Sequence, residues 1–166
     1  LLEEPLKQGA PARILFISSE AHRFGGLNLK DLNWHRRPYI ALWAYAAAKI
    51  AQLHTARLLA EQLQPKNVTV NVMHPGAVRT NIGMNNSLLY RLYQRWILRW
   101  FLKDPSLSGE AIYTLAADPA LEKVTGKFFN RTIEEKPAWY AVRPEMSQAV
   151  WDKSEALISP YLKGTP

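Results

Sequence analysis

Asn67-Val68-Thr69-Val70-Asn71-Val72-Met73-His74, closed by Pro75-Gly76, is the stretch that decides the fold class. Valine recurs at every second position with polar residues between, a pattern that fits an extended strand, and Pro-Gly stops it. Before it, residues 40–64 carry a helical pattern: Ile50, Leu53, Ala56, Ala60 and Leu63 recur at spacings of three and four until Pro65 ends the run. Upstream of that helix stands a second strand, Ala12-Arg13-Ile14-Leu15-Phe16-Ile17-Ser18-Ser19. Its four consecutive apolar residues suit burial on both faces of a parallel sheet. A helix between two such strands is the parallel βαβ unit, so the class is α/β.

The unit also places particular side chains. Open α/β sheets hold their ligands beyond the carboxyl ends of the strands. Ser18 and Ser19 follow the first strand there, and the loop Pro75-Gly76-Ala77-Val78-Arg79-Thr80 follows the second. On the helix, Tyr45 and Lys49 are four residues apart and so project from one face, one turn apart. A neighbouring ammonium favours the phenolate, which fits a tyrosine for exchanging protons. Blander readings stand beside each of these: a serine pair capping a turn, Pro-Gly as a plain turn, and a half-buried aromatic beside a solvated lysine.

Composition narrows the field. A chain of 166 residues with 48% hydrophobic content is long enough for one globular domain with a core. With no cysteine, disulfides, thiolate metal sites and a cysteine nucleophile are excluded, and no His or carboxylate grouping has metal-ligand spacing. The net charge of +7 suits an acidic partner, either nucleic acid or an anionic membrane. No run of 18 apolar residues predicts a transmembrane helix. The opening Leu-Leu-Glu-Glu-Pro lacks a methionine and a basic leader, and reads as the middle of a longer chain.

The remaining segments fill in around the unit. Residues 1–10 read as a helix end closed by Gln8-Gly9 and Pro11, and residues 20–39 as a loop punctuated by Gly25, Gly26 and Pro38. Further helices are predicted at 108–117, ended by Asp118-Pro119, and around 146–157, with a short strand at 125–129. Residues 87–103 differ in character: aromatic, aliphatic and basic, with Arg91, Arg95 and Arg99 at four-residue intervals. This segment reads as an amphipathic helix that serves as a lid over an apolar substrate, lies on a membrane surface, or simply packs on the core.

Three segments together resemble the short-chain dehydrogenase/reductase family: Arg13-Ile14-Leu15-Phe16-Ile17-Ser18-Ser19, Tyr45-Ala46-Ala47-Ala48-Lys49, and Asn71-Val72-Met73-His74-Pro75-Gly76-Ala77-Val78-Arg79-Thr80. Their order and spacing match the carboxyl-terminal half of that fold. The run Ser19-Glu20-Ala21-His22-Arg23, the 25 residues between Ser19 and Tyr45, and the His74–Thr80 loop look most like the retinol dehydrogenase branch, as do Gly126-Lys127-Phe128-Phe129 and Val150-Trp151-Asp152-Lys153-Ser154-Glu155. The resemblance implies one partial domain over residues 1–166, the carboxyl-terminal part of a Rossmann-like doubly wound parallel sheet flanked by helices. The variable substrate loop would fall at 84–103.

It also implies roles. Tyr45 would be the acid/base at the carbonyl or hydroxyl oxygen, Lys49 would assist it and hold the nicotinamide ribose, and Ser19 would hydrogen-bond the substrate oxygen. Pro75, Gly76, Val78 and Thr80 would border an NAD or NADP cofactor, together with Tyr45 and Lys49. The implied activity is that of an NAD(P)-dependent oxidoreductase interconverting alcohol and carbonyl on an apolar, retinoid-, lipid- or aldehyde-like substrate. A homodimer through helix 41–64 and a cytoplasmic protein with peripheral membrane contact through 87–103 go with it. The competing reading is a non-catalytic membrane-surface or binding protein that uses helix 87–103. Nucleic-acid binding is the weakest reading, because no recognition motif accompanies the arginines.

The departures are Ala48 where the family usually has serine, and the lack of a Gly-x-x-x-Gly-x-Gly phosphate loop. Alone, these residues are expected to bind a dinucleotide weakly, to be inactive, and to expose an apolar edge strand.

Overall fold

A computed structural model describes residues 2–76 and 104–162. After a short helix α1 (Glu3–Gln8) comes strand β1 (Ala12–Ile17), a 3₁₀ turn at Glu20–Phe24, and the long helix α2 (Ala41–Leu63). Strand β2 (Val68–His74) follows, then helix α3 (Ser106–Ala117), the short strands β3 (Phe128–Asn130) and β4 (Ile133–Glu135), and helix α4 (Pro144–Leu162). The expected substrate loop at 84–103, the basic helix at 87–103, Val78 and Thr80 lie outside the described residues.

The βαβ unit is present. Strand β1 pairs in parallel with β2, from Ala12 opposite Val68 to Ile17 opposite Met73. Strand β3 continues the sheet in parallel on the far side of β2, with Val72 opposite Phe128. The sheet is not parallel throughout, however: β4 returns antiparallel to β3, giving the order β1-β2-β3-β4. Ile133-Glu134-Glu135 has one apolar residue in three positions, too weak a pattern to read as a strand.

Strand β2 is buried along its whole length, and its alternation sorts residues between two packed faces. Val68, Val70 and Val72 meet Ile50, Leu53, Ala56, Ala60 and Leu63 of α2, with Phe128 and Ala141. On the opposite face Met73 packs with Ala111, Leu115 and Phe129. Asn71 is tolerated on that face because its amide donates to the Val124 carbonyl (2.6 Å) while its oxygen accepts from the Lys127 amide (3.0 Å). Thus alternating polar residues mark hydrogen-bonded burial here.

Strand β1 departs from the expectation of burial on both faces. Its residues are half-buried, and Ile17 is 37% exposed, because among the described residues β1 pairs on one side only. The expected open edge is therefore observed. Arg13 ties this strand to α3, donating to the Leu115 carbonyl (3.2 Å) and the Asp118 carbonyl (2.8 Å) at the helix's carboxyl end, where a cation also meets the negative end of the dipole. The tail helix is longer than its sequence pattern predicts and lies along α2. Among the described residues no helix is long and apolar enough to cross a membrane.

Candidate active site

Parallel pairing puts the ends of β1 and β2 side by side, so Ser18–Ser19 and Pro75–Gly76 emerge from the same edge of the sheet. The Ser18 amide donates to the Met73 carbonyl at 2.7 Å and holds the two exits together. Ser19 then caps the Glu20–Phe24 turn: its hydroxyl oxygen accepts from the Ala21 amide (3.2 Å).

Helix α2 brings the Tyr45–Lys49 pair to this edge. Lys49 Nζ donates to the Ile17 carbonyl (2.9 Å), at the last residue of β1, and to Gln52 Oε1 (3.3 Å). The same Nζ lies 5.7 Å from the centre of the Tyr45 ring, inside cation–π range. Tyr45 is 40% exposed, and its hydroxyl has no hydrogen-bond partner among the described residues. The lysine thus joins the serine end of β1 to the tyrosine.

Close packing sets the helix in this position. Gly25 lies against Ala46, the residue after Tyr45, so closely that a Cβ at Gly25 would stand 2.5 Å from the Ala46 Cβ. The alanines flanking Tyr45 allow the approach that the sequence suggested, and the approaching element is the segment leading away from Ser19. Ala46 and Ala47 are consequently buried within the chain itself, and the exposed side of this helical turn is Leu42, Trp43 and Tyr45.

Sequence reasoning quoted His22 and His74 within family-like segments without giving either a role, and both are buried at the same edge. His22 Nδ1 donates to the Ser19 carbonyl (2.8 Å), and its Nε2 accepts from the Ala138 amide (3.1 Å), which fixes the neutral tautomer. Burial holds His22 below the ordinary histidine range. His74 Nδ1 accepts from the Gly76 amide (3.2 Å), while its Nε2 lies 3.1 Å from Glu20 Oε2 and 3.8 Å from Glu135 Oε2. Glu20, His74 and Glu135 are too far apart in sequence for any spacing rule to unite them. Only the His-Pro-Gly context of His74 offered a signal.

The residues suit the nicotinamide end of a dinucleotide. Gly76 has φ +76, a left-handed value that favours glycine, and among the described residues nothing stands within 4 Å of where a side chain would be. Lys49 supplies the adjacent cation. Pro75 is held from behind, where the buried Ser108 hydroxyl donates to its carbonyl at 3.1 Å.

Comparisons with known proteins bear on the family and the fold. The family model for "short chain dehydrogenase" matches residues 33–89, which contain Tyr45, Lys49 and the Pro75–Thr80 loop. Retinol dehydrogenase 13 of Mus musculus is 35% identical over 162 residues, covering 95% of this chain and 48% of that protein. Retinol dehydrogenase 14 of Mus musculus is 36% identical over 155 residues, covering 92% and 46%. Among solved structures, an uncharacterized protein from Mycobacterium Paratuberculosis superposes with a TM-score of 0.61 at 25% identity, covering 89% of this chain and 50% of that one. The chain belongs to the short-chain dehydrogenase/reductase family. Within it, the chain is similar to the retinol dehydrogenases, and it spans about half the length of the curated relatives it matches.

Proposed function

We propose that the protein carrying this chain is an NAD(P)-dependent oxidoreductase that interconverts an alcohol and a carbonyl on an apolar substrate. The observation that carries this reading is the Lys49 ammonium, bound to the carbonyl at the end of β1 while facing the Tyr45 ring. A surface-binding protein needs no such linkage among a strand end, a cation and an unpaired phenol. In this reading Tyr45 gives a proton to the carbonyl oxygen during reduction and takes it back in oxidation. Ser19 hydrogen-bonds the substrate oxygen and orients it toward the Gly76 turn. The cofactor, when bound, supplies or accepts the hydride.

The class of substrate follows from two supports. The relatives are called retinol dehydrogenases, and Leu42, Trp43 and Phe24 leave an apolar exposed surface beside the tyrosine's helical turn. NAD and NADP both remain compatible with the residues present. A homodimer through 41–64 would use Leu42 and Trp43, because Ala46 and Ala47 of that helix are covered internally. Peripheral membrane contact through 87–103 goes with an apolar substrate.

The test is oxidation of NADH and NADPH by the protein that carries this chain, with retinal-like and short-chain aldehydes as partners. Turnover faster on the retinal-like aldehyde, and lost in Tyr45→Phe, is expected. Undiminished turnover in Tyr45→Phe, or none with either cofactor, would overturn the reading.

A further inference from the structure

The carboxyl edge of the sheet contains a polar joint that the proposed reaction does not use directly. His74 is the last residue of β2 and is only 4% exposed. Its ring stacks on Phe128 (centres 5.5 Å apart, planes at 23°), while His22 meets the same Phe128 edge-on at 5.1 Å. One face of the joint is the Gly76 amide, which donates to His74 Nδ1. The other face is a pair of carboxylates. Glu20 comes from the residue after Ser19, and Glu135 comes from β4.

The Gly76 contact fixes where the ring carries its proton. Because Nδ1 accepts from Gly76, the neutral ring carries its proton on Nε2, which lies 3.1 Å from Glu20 Oε2 and 3.8 Å from Glu135 Oε2. Among the described residues Nε2 and Glu20 Oε2 are both buried without a hydrogen bond, so what joins them is close polar contact in the core. The remaining groups around the joint are already engaged. Arg23 bonds Glu20 Oε1 and donates to the Lys136 carbonyl (2.8 Å), and its guanidinium lies 3.9 Å from Glu135 Oε2. Asn130 donates to Glu135 Oε1 at 2.8 Å.

We infer that His74 is a positioning residue that locks the Ser19 end of β1, through Glu20, to the Gly76 turn at the end of β2. Ser19 and Gly76 leave from neighbouring strands, and nothing in a parallel pair beyond its last backbone bond fixes the relative height of the two exits. A rigid imidazole between Gly76 and the residue after Ser19 does fix it, and the stacked Phe128 prevents the ring from turning. The competing reading is a cation site, since the three ligand atoms lie within 4.8 Å of one another. A metal would need the Nε2 lone pair, which moves the proton to Nδ1 and sets it against the Gly76 amide. Arg23 would also have to share both carboxylates with the ion. The strut reading needs neither change.

The kinetic arm of the test rests on the oxidoreductase reading, and a spectroscopic arm does not. In the protein carrying this chain, His74→Asn can still accept from the Gly76 amide two residues on, as asparagine does in turns, but it loses the reach to Glu20. The expected result is a fall in kcat of about tenfold with the KM for the cofactor unchanged. His74→Ala loses both contacts, so the KM rises as well. Glu20→Gln lowers kcat alone. Wild-type kinetics in both His74 variants would overturn the proposal, as would an equal rise in KM for the alanine and asparagine variants.

Independently of turnover, long-range proton–nitrogen NMR should report the Nε2–H tautomer for His74 and a shift of that nitrogen in Glu20→Gln. An Nδ1–H tautomer, or stoichiometric Zn²⁺ binding that His74→Gln abolishes, would replace the strut with a cation site. If the unmodified protein oxidises no nicotinamide cofactor, the proposed function fails while the tautomer still decides the role of His74.

Discussion

The two halves of α2 behave as different materials. From Ile50 to Leu63 the helix is core: Ile50, Leu53, Ala56, Ala60 and Leu63 are each at most 4% exposed against the valines of β2. From Ala41 to Lys49 the same helix turns Leu42, Trp43 and Tyr45 outward, and only Ala46 and Ala47 are fully covered. The carboxyl-terminal half therefore holds the rod in place, and the amino-terminal half presents chemical groups at a position it does not itself stabilise. This separation lets Tyr45 keep a hydroxyl with no partner among the described residues without leaving that polar atom in the core.

The largest effects should split along that line. Tyr45→Phe removes the proposed proton donor and little else, so turnover should fall by about 10²- to 10⁴-fold, with the melting temperature unchanged. A joint loss of activity and stability would mean that the hydroxyl holds structure and would collapse the contrast between the halves. Leu53→Ala is the opposite case. Cutting a core leucine should cost about 2–5 kcal/mol of stability, read as a lower denaturation midpoint, while kcat per folded molecule stays close to wild type. A large drop in kcat at full folding would show that the buried half tunes the site directly.

Between the halves lies the contact of Gly25 with Ala46, and it sharpens the comparison. Gly25 has φ −145, which any residue adopts, so its requirement is one of space alone. Gly25→Ala puts a methyl 2.5 Å from the Ala46 Cβ, so either the helix or the Ser19 segment must move. The expected cost is about 1–3 kcal/mol of stability together with reduced kcat. Ala46→Gly in the same molecule should return much of both. Full tolerance of Gly25→Ala would show that the Ser19 segment and α2 are set independently.

How much of this was legible in the sequence follows the same division. The periodicity of residues 40–64 and the valine alternation of 68–72 reflect burial against neighbours, and burial writes a repeating pattern. The βαβ unit, and the edge of the sheet from which Ser19 and Gly76 leave, could be read from it. β4 could not be read: three residues paired on one side, with a single isoleucine, leave no period. The joint around His74 was hidden for another reason. Glu20, His74 and Glu135 come from three separate elements, and only the pairing of β2 with β3 and β3 with β4 brings the last two together. The covered alanines of α2 were visible as small residues, but the element that would cover them was not. Gly25, far from Ala46 in sequence and unremarkable in a loop, gave no sign of being that element.

The smallest effect at neutral pH, which grows only on acidification, concerns His54 in the buried half. Its Nδ1 is 3.0 Å from the Ser147 hydroxyl of α4, and the residue is fully buried where the two helices pack. Burial, with Arg143 and Arg57 nearby adding to it, pushes its pKa from the ordinary 6.5 down to about 4. Between those two values the unfolded chain takes up a proton that the folded chain excludes. Stability is therefore fully present above about pH 6.5 and is lost as pH falls toward 4. His22, also depressed by burial, adds in the same direction. In a series of melting temperatures across this range, His54→Gln should lower stability at pH 8 yet flatten the decline on acidification, leaving the share due to His22. An unchanged slope would assign the acid sensitivity to the carboxyl edge of the sheet and deny the buried half its own titration.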